Sequence, residues 1–199
     1  MTLTRILTLA ALTGSALMGG VFFAYGNSVM GSLERMPAGQ GAATMNVVNV
    51  EIYNPPFMLI FMGTGLVCLA LAVLGLVRDG PGRWWSLNGS VLYLVGAMIT
   101  IAVNVPQNDR LAAVDPTTPE GAAEWSMFVA SWTPANNLRA IACTLGVVAF
   151  GIALTSTDRP ESANQVQQNA GPRHDGPPHP GPPHGGPQHQ GPAPRRDQR

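Results

Sequence analysis

Amides, indoles and guanidinium groups gather in three short stretches of this chain. Asn104-Val105-Pro106-Gln107-Asn108-Asp109-Arg110 is one, and Trp132-Thr133-Pro134-Ala135-Asn136-Asn137-Leu138-Arg139 is another. A third holds Asn46, Asn49, Glu51, Tyr53 and Asn54. Groups of these types, converging on one cleft, would orient a ligand by hydrogen bonds and an ionic contact. Asn104 is the most telling, because it ends an apolar helix, and a polar residue at membrane depth usually faces the bundle interior. Pro106 frees a backbone carbonyl one turn back, which a nearby side chain would have to satisfy. The structural alternative weighs equally on these residues alone. Asn and Arg at helix ends cap carbonyls, snorkel, or pair with carboxylates such as Asp109.

The elements that must position these groups are four long apolar stretches, roughly residues 6–25, 57–77, 87–105 and 138–154. A helix crosses a bilayer core with roughly 17–25 residues. The chain therefore reads as an all-α, four-helix transmembrane bundle, over residues 1–156. Arg5, Arg78, Arg83 and Arg159 flank one side. Arg35, Arg110 and Arg139 flank the other, mixed with acidic residues. The positive-inside bias predicts a multi-pass protein of the plasma (cytoplasmic) membrane, with both termini in the cytoplasm. Arg5 and the apolar run after it could pass for a signal peptide. The run is long for one and no clean cleavage site follows, so it is read as a retained first helix.

Short amphipathic helices are expected in the outer loops. Met45, Val48 and Ile52 recur at helical spacing after Pro37, and Asn54-Pro55-Pro56 starts the next span. Thr118-Pro119-Glu120 reads as an N-cap, an N1 proline and an acidic first turn. The helix it opens carries Trp125, Phe128, Val129 and Trp132 on one face, and is expected to lie in the outer interface or fold over the bundle mouth. Ser15/Gly19, Ala16/Gly20 and Ala142/Gly146 mark faces where helices could approach closely.

Composition supports a membrane protein and gives no reason to expect nucleic acid. Charged residues are 11% of the 199 and net charge is zero, against about 25% charged in average soluble domains. All 11 basic residues are Arg, which with abundant Ala, Gly and Pro suggests a GC-rich bacterial genome. Cys68 and Cys143 fall in separate spans and form no CxxC pair, so they read as small buried thiols. Residues 157–199 read as a disordered Pro/Gly/His-rich tail. Its His174, His179, His184 and His189 recur every five residues, a period that excludes collagen. Weak metal capture by these imidazoles is the lesser reading, because a flexible tract fixes no coordination geometry. No metal site is expected in the membrane domain.

The chain resembles the anthrone oxygenase family. Val29-Met30-Gly31-Ser32-Leu33 with Met36-Pro37, Met45-Asn46-Val47-Val48-Asn49, and Asn54-Pro55 with Phe57 are similar to family segments. So are Asn104-Val105-Pro106-Gln107-Asn108 with Arg110-Leu111-Ala112, and Trp132, Asn136 and Leu138-Arg139. These follow the family's order across most of residues 20–150. Two positions depart from its pattern: Asn137 stands where the family has His, and Asn46 where it has Gln.

The resemblance implies a cofactor-independent monooxygenase that oxidises anthrone-like phenols to quinones, with O2 as co-substrate. It implies a base, for which Asp109 or Glu51 serve, and stabilisation of an enolate oxygen by Arg139 and Arg110. Asn104, Asn108 and Asn136 would donate hydrogen bonds, and Asn137, Trp132, Asn49 and Asn46 would complete the substrate wall. The partners expected are the lipid bilayer and a lipophilic small molecule; the oligomeric state is left open. The missing His keeps a second reading in view, a non-catalytic membrane protein that binds a lipophilic ligand or a partner. A transporter is weaker, because no inverted repeat and no charge inside a span is apparent.

Overall fold

The structure, a computed structural model, describes residues 2–156. The tail with its four His lies outside the described residues. Among the described residues seven α-helices follow one another: α1 (Leu3–Ala24), α2 (Met30–Glu34), α3 (Ala38–Glu51), α4 (Pro55–Val77), α5 (Arg83–Ile99), α6 (Val105–Ala112) and α7 (Pro119–Ser156). A π-helical turn, Tyr25–Val29, joins α1 to α2 without a break, and a second, Thr100–Asn104, joins α5 to α6. Four helices among the described residues are thus long and apolar enough to cross a membrane: Leu3–Glu34, Pro55–Val77, Arg83–Ala112 and Pro119–Ser156.

Local sequence sets the helix ends. Thr2 accepts from the Arg5 amide at the start of α1. Asn54 accepts from the Phe57 amide at 3.0 Å, and Pro55 follows as the first helical residue of α4. Thr118 accepts from the Gly121 amide ahead of α7. Each cap satisfies a donor that the first turn leaves over. Just upstream, the Thr117 hydroxyl and amide hold the exposed Asp115 carboxyl below the usual carboxylate range. The turn between α4 and α5 needs Gly82, whose φ is +76° and whose missing Cβ would meet the Ala153 carbonyl at 2.6 Å. Beside it Arg83 pairs with Asp79 and lies over the Trp84 ring.

The spans form a ring in which α7 and α4 each pack against both α1 and α5. Lipid is as apolar as this core, so the helices gain from close packing rather than from leaving water. Gly19 admits Cys143, Gly89 admits the Phe150 ring, and Gly146 lies against the Gly89 carbonyl. Ser15, Gly19, Ala142 and Gly146 are buried, as the small-residue pattern predicts. Ala16 and Gly20 instead face outward. Several hydroxyls inside the bundle find carbonyls: Ser90 and Thr144 donate one turn back, and Tyr93 donates across to the Phe61 carbonyl of α4.

A second core sits above the first. Met30, Leu33, Met45, Leu111, Trp125 and Phe128 are buried together, contributed by α2, α3, α6 and the first half of α7. Here the structure departs from the expected separate helix over the third loop. The Trp-bearing helix and the fourth span are one 38-residue helix that runs straight through Pro134. Proline removes one backbone hydrogen bond. The continuous stack of Trp125, Phe128 and Trp132, with centroids 5.7 Å apart, packs the turns that lead into the proline.

This continuity moves Arg139. Read as a flank of the fourth span, it stands near the middle of α7 and is only 4% exposed. A charge therefore does lie inside a span.

Candidate functional site

Between the two cores lies a cavity of about 230 Å³. It forms where α3 ends and α4 begins, opposite the two π turns. Phe22 and Tyr25 line it from the first span, Phe57 and Phe61 from α4, and Thr100 and Asn104 from the third. Trp132, Asn136 and Arg139 line it from α7. π turns recur at functional sites because one extra residue re-aims side chains within a helix. The turn at Thr100–Asn104 precedes Pro106, which has no amide to donate, and the Val105 amide bonds five residues back to the Thr100 carbonyl. The result carries Asn104 inward, where it is 1% exposed.

Arg139 dominates the wall. Its Nη1 donates to the Thr100 hydroxyl at 3.1 Å and its Nη2 to Asn136 Oδ1 at 2.9 Å. The Asn136 amide is fixed in turn, because Nδ2 donates to the Phe22 carbonyl at 2.7 Å, immediately before the first π turn. Thr100 is oriented by donating to the Gly96 carbonyl. The guanidinium lies 4.2 Å from the Phe22 ring centre and 5.3 Å from that of Trp132. Cation–π contacts of this kind gain strength when desolvated. All these partners are neutral. Arg139 forms no ion pair among the described residues, and its Nε has no hydrogen-bond partner. Buried charges are ordinarily paired, since an ion taken out of water costs several kcal/mol.

Other polar atoms at the cavity are also left over. Asn49 Nδ2 and Asn104 Oδ1 are buried without partners. Asn104 Nδ2 donates to the Trp132 carbonyl, and the Trp132 indole donates to Asn108 Oδ1 at 2.9 Å.

Of the polar residues singled out from sequence, Arg139, Asn104, Asn108, Asn136, Trp132, Asn49 and Tyr53 come together in this lining. Five candidate site residues do not. Asp109, Arg110 and Glu51 are exposed and outside it. Asn46 points to the Leu111 carbonyl in the upper core. Asn137 is exposed, with its side-chain oxygen where a Cβ on Gly26 would lie. The helical period separates it from its neighbour Asn136, which faces the cavity. Thr100, Phe22 and Tyr25 were not singled out. Proximity of Thr100 to Pro106 was the available signal for the first, while Phe22 and Tyr25 look like any apolar span.

The lining thus combines apolar walls, amides, hydroxyls and one guanidinium, with no carboxylate, imidazole or thiol among the described residues. It also joins the segments that carry the family resemblance, from the end of the first span to Arg139. Residues 57–149 match the anthrone oxygenase family model. This is the family that the sequence motifs resemble. The match to the anthrone oxygenases covers α4, α5, α6 and most of α7, so Asn104, Asn108, Trp132, Asn136 and Arg139 all fall within it. No curated protein and no solved structure matches the chain.

Proposed function

We propose that this membrane protein binds a flat, lipid-soluble phenol or enol as its oxyanion on Arg139, and that it oxidises anthrone-like members of that class with dioxygen. The observation that carries the reading is the buried Arg139 guanidinium, held by two neutral partners and lacking a carboxylate. An enolate oxygen would supply the missing negative charge. Apolar rings would lie against Phe22, Phe57, Phe61 and Trp132, and the unpartnered Asn104 Oδ1 would accept from a substrate hydroxyl.

The chemistry balances without a protein-borne electron carrier. An anthrone loses a proton from the carbon opposite its carbonyl, giving an enolate. The enolate carbon passes electrons to dioxygen and bonds to it, forming a hydroperoxide after protonation. Loss of the second C–H proton with cleavage of the O–O bond releases water and leaves the quinone carbonyl. The contribution of this wall is oxyanion stabilisation in a site shielded from water. No cofactor has a step in this scheme. The lining offers no carboxylate or imidazole among the described residues to take the first proton.

The lack of such a base favours one other reading, a binding protein for the same ligand class without turnover. Oxygen uptake by purified protein in nanodiscs, against a panel of anthrones and hydroquinones, separates the two. Stoichiometric quinone formation that Arg139→Met abolishes supports the oxygenase. Saturable binding with no uptake leaves the binding role, and absence of both overturns the proposal.

A further inference from the structure

The walls of the cavity are not closed all the way round. Helix α4 packs against α1 and α5 and against no other element among the described residues. It begins only at Pro55, while the first and third spans run on past this level through their π turns. Nothing therefore bridges the start of α4 to the turn at Thr100–Asn104. The residues along this gap are apolar and exposed although they line the cavity: Met62 is 53% exposed, Ile101 58% and Tyr53 56%. Met62 and Ile101 lie inside two of the four membrane-spanning stretches. An opening at that depth faces hydrocarbon, not water. Phe22 and Trp132, each 5% exposed, stand at the inner end of the same space.

We infer that the cavity is filled sideways from the bilayer, through a mouth between α4 and the π turn of the third span that Met62 and Ile101 frame. This inference rests on the proposed ligand, an apolar ring system with one ionisable oxygen. Such a molecule concentrates in the membrane, and as a neutral species it can cross an apolar mouth and ionise beside Arg139. Dioxygen, itself apolar, can follow the same path.

The test uses the full chain in vesicles containing a phosphatidylcholine with a photoreactive diazirine in its acyl chain. Adducts are mapped by mass spectrometry. An open mouth gives adducts on Phe22 and Trp132 as well as on outward residues such as Leu59 and Leu66. Filling the mouth with Met62→Trp and Ile101→Trp removes the inner adducts and spares the outer ones, which also reports that the helix still spans. An excess of anthrone suppresses the inner adducts in the wild type. Adducts confined to outward residues would overturn the lateral mouth. Inner adducts that anthrone does not displace would assign the space to lipid chains instead. The wild-type labelling needs no turnover, so failure of the oxygenase reading and failure of the mouth are read separately.

Discussion

Arg139 and Asn136 face the cavity one turn apart on α7, and the Nη2–Oδ1 hydrogen bond of 2.9 Å between them ties the guanidinium to its own helix. The amide cannot neutralise the charge it holds. That leaves a buried cation whose position is fixed by neutral groups and whose counter-ion must come from elsewhere.

Arg139→Met separates stability from function. Replacing a buried, unpaired charge by an apolar chain of similar length removes a desolvation cost. Thermal unfolding in detergent is expected at an unchanged or higher temperature. Oxygen uptake should fall by roughly 10²–10³, the usual effect of losing one oxyanion donor.

Asn136 gives a paired test. Asn136→Ala leaves Arg139 Nη2 unsatisfied, for about 1–3 kcal/mol of lost stability, and takes from the Phe22 carbonyl one of two donors, the Tyr25 amide remaining. Asn136→Asp keeps an acceptor beside Arg139 and adds its missing negative charge. Binding of an anionic ligand should then be lost as fully as in Arg139→Met, measured by equilibrium titration.

Two substitutions should do little. Asp109 is exposed outside the cavity, and Asn137 is exposed and seated against Gly26. Asp109→Asn and Asn137→His are both expected to leave oxygen uptake at the wild-type level. A large loss in Asp109→Asn would restore it as the base. A large gain in Asn137→His would show that this position acts on the substrate.

The four spans were legible in the sequence because bilayer-length apolar runs are hard to mistake, and so were the start of α4 at Asn54-Pro55-Pro56 and the cap at Thr118. The convergence of Asn104, Asn136 and Arg139 was legible as polar groups at matching ends of adjacent spans. The place of Arg139 was not. The Trp-bearing helix and the fourth span read as separate helices, which would have left Arg139 at an interface. The helix instead continues through Pro134 and carries the charge inside. The roles of Phe22 and Gly26 were hidden because a π turn leaves no apolar or charge pattern of its own.

Packing at Gly89 tests the bundle itself. A Cβ there would lie 2.9 Å from the fully buried Phe150 ring. Overpacking of this kind costs about 1–3 kcal/mol. Gly89→Ala should lower the unfolding temperature, with Phe150→Leu in the same chain recovering part of the loss.

The central claim is that Arg139 holds an oxyanion. The direct measurement is an anaerobic absorption titration of an anthrone with protein in nanodiscs, at a pH below the ligand's own ionisation. Without oxygen the enolate accumulates instead of reacting, and its spectrum differs from that of the neutral ketone. The account predicts enolate in proportion to wild-type protein and none with Arg139→Met. Equal enolate with both, or neutral ligand bound to the wild type, would contradict it.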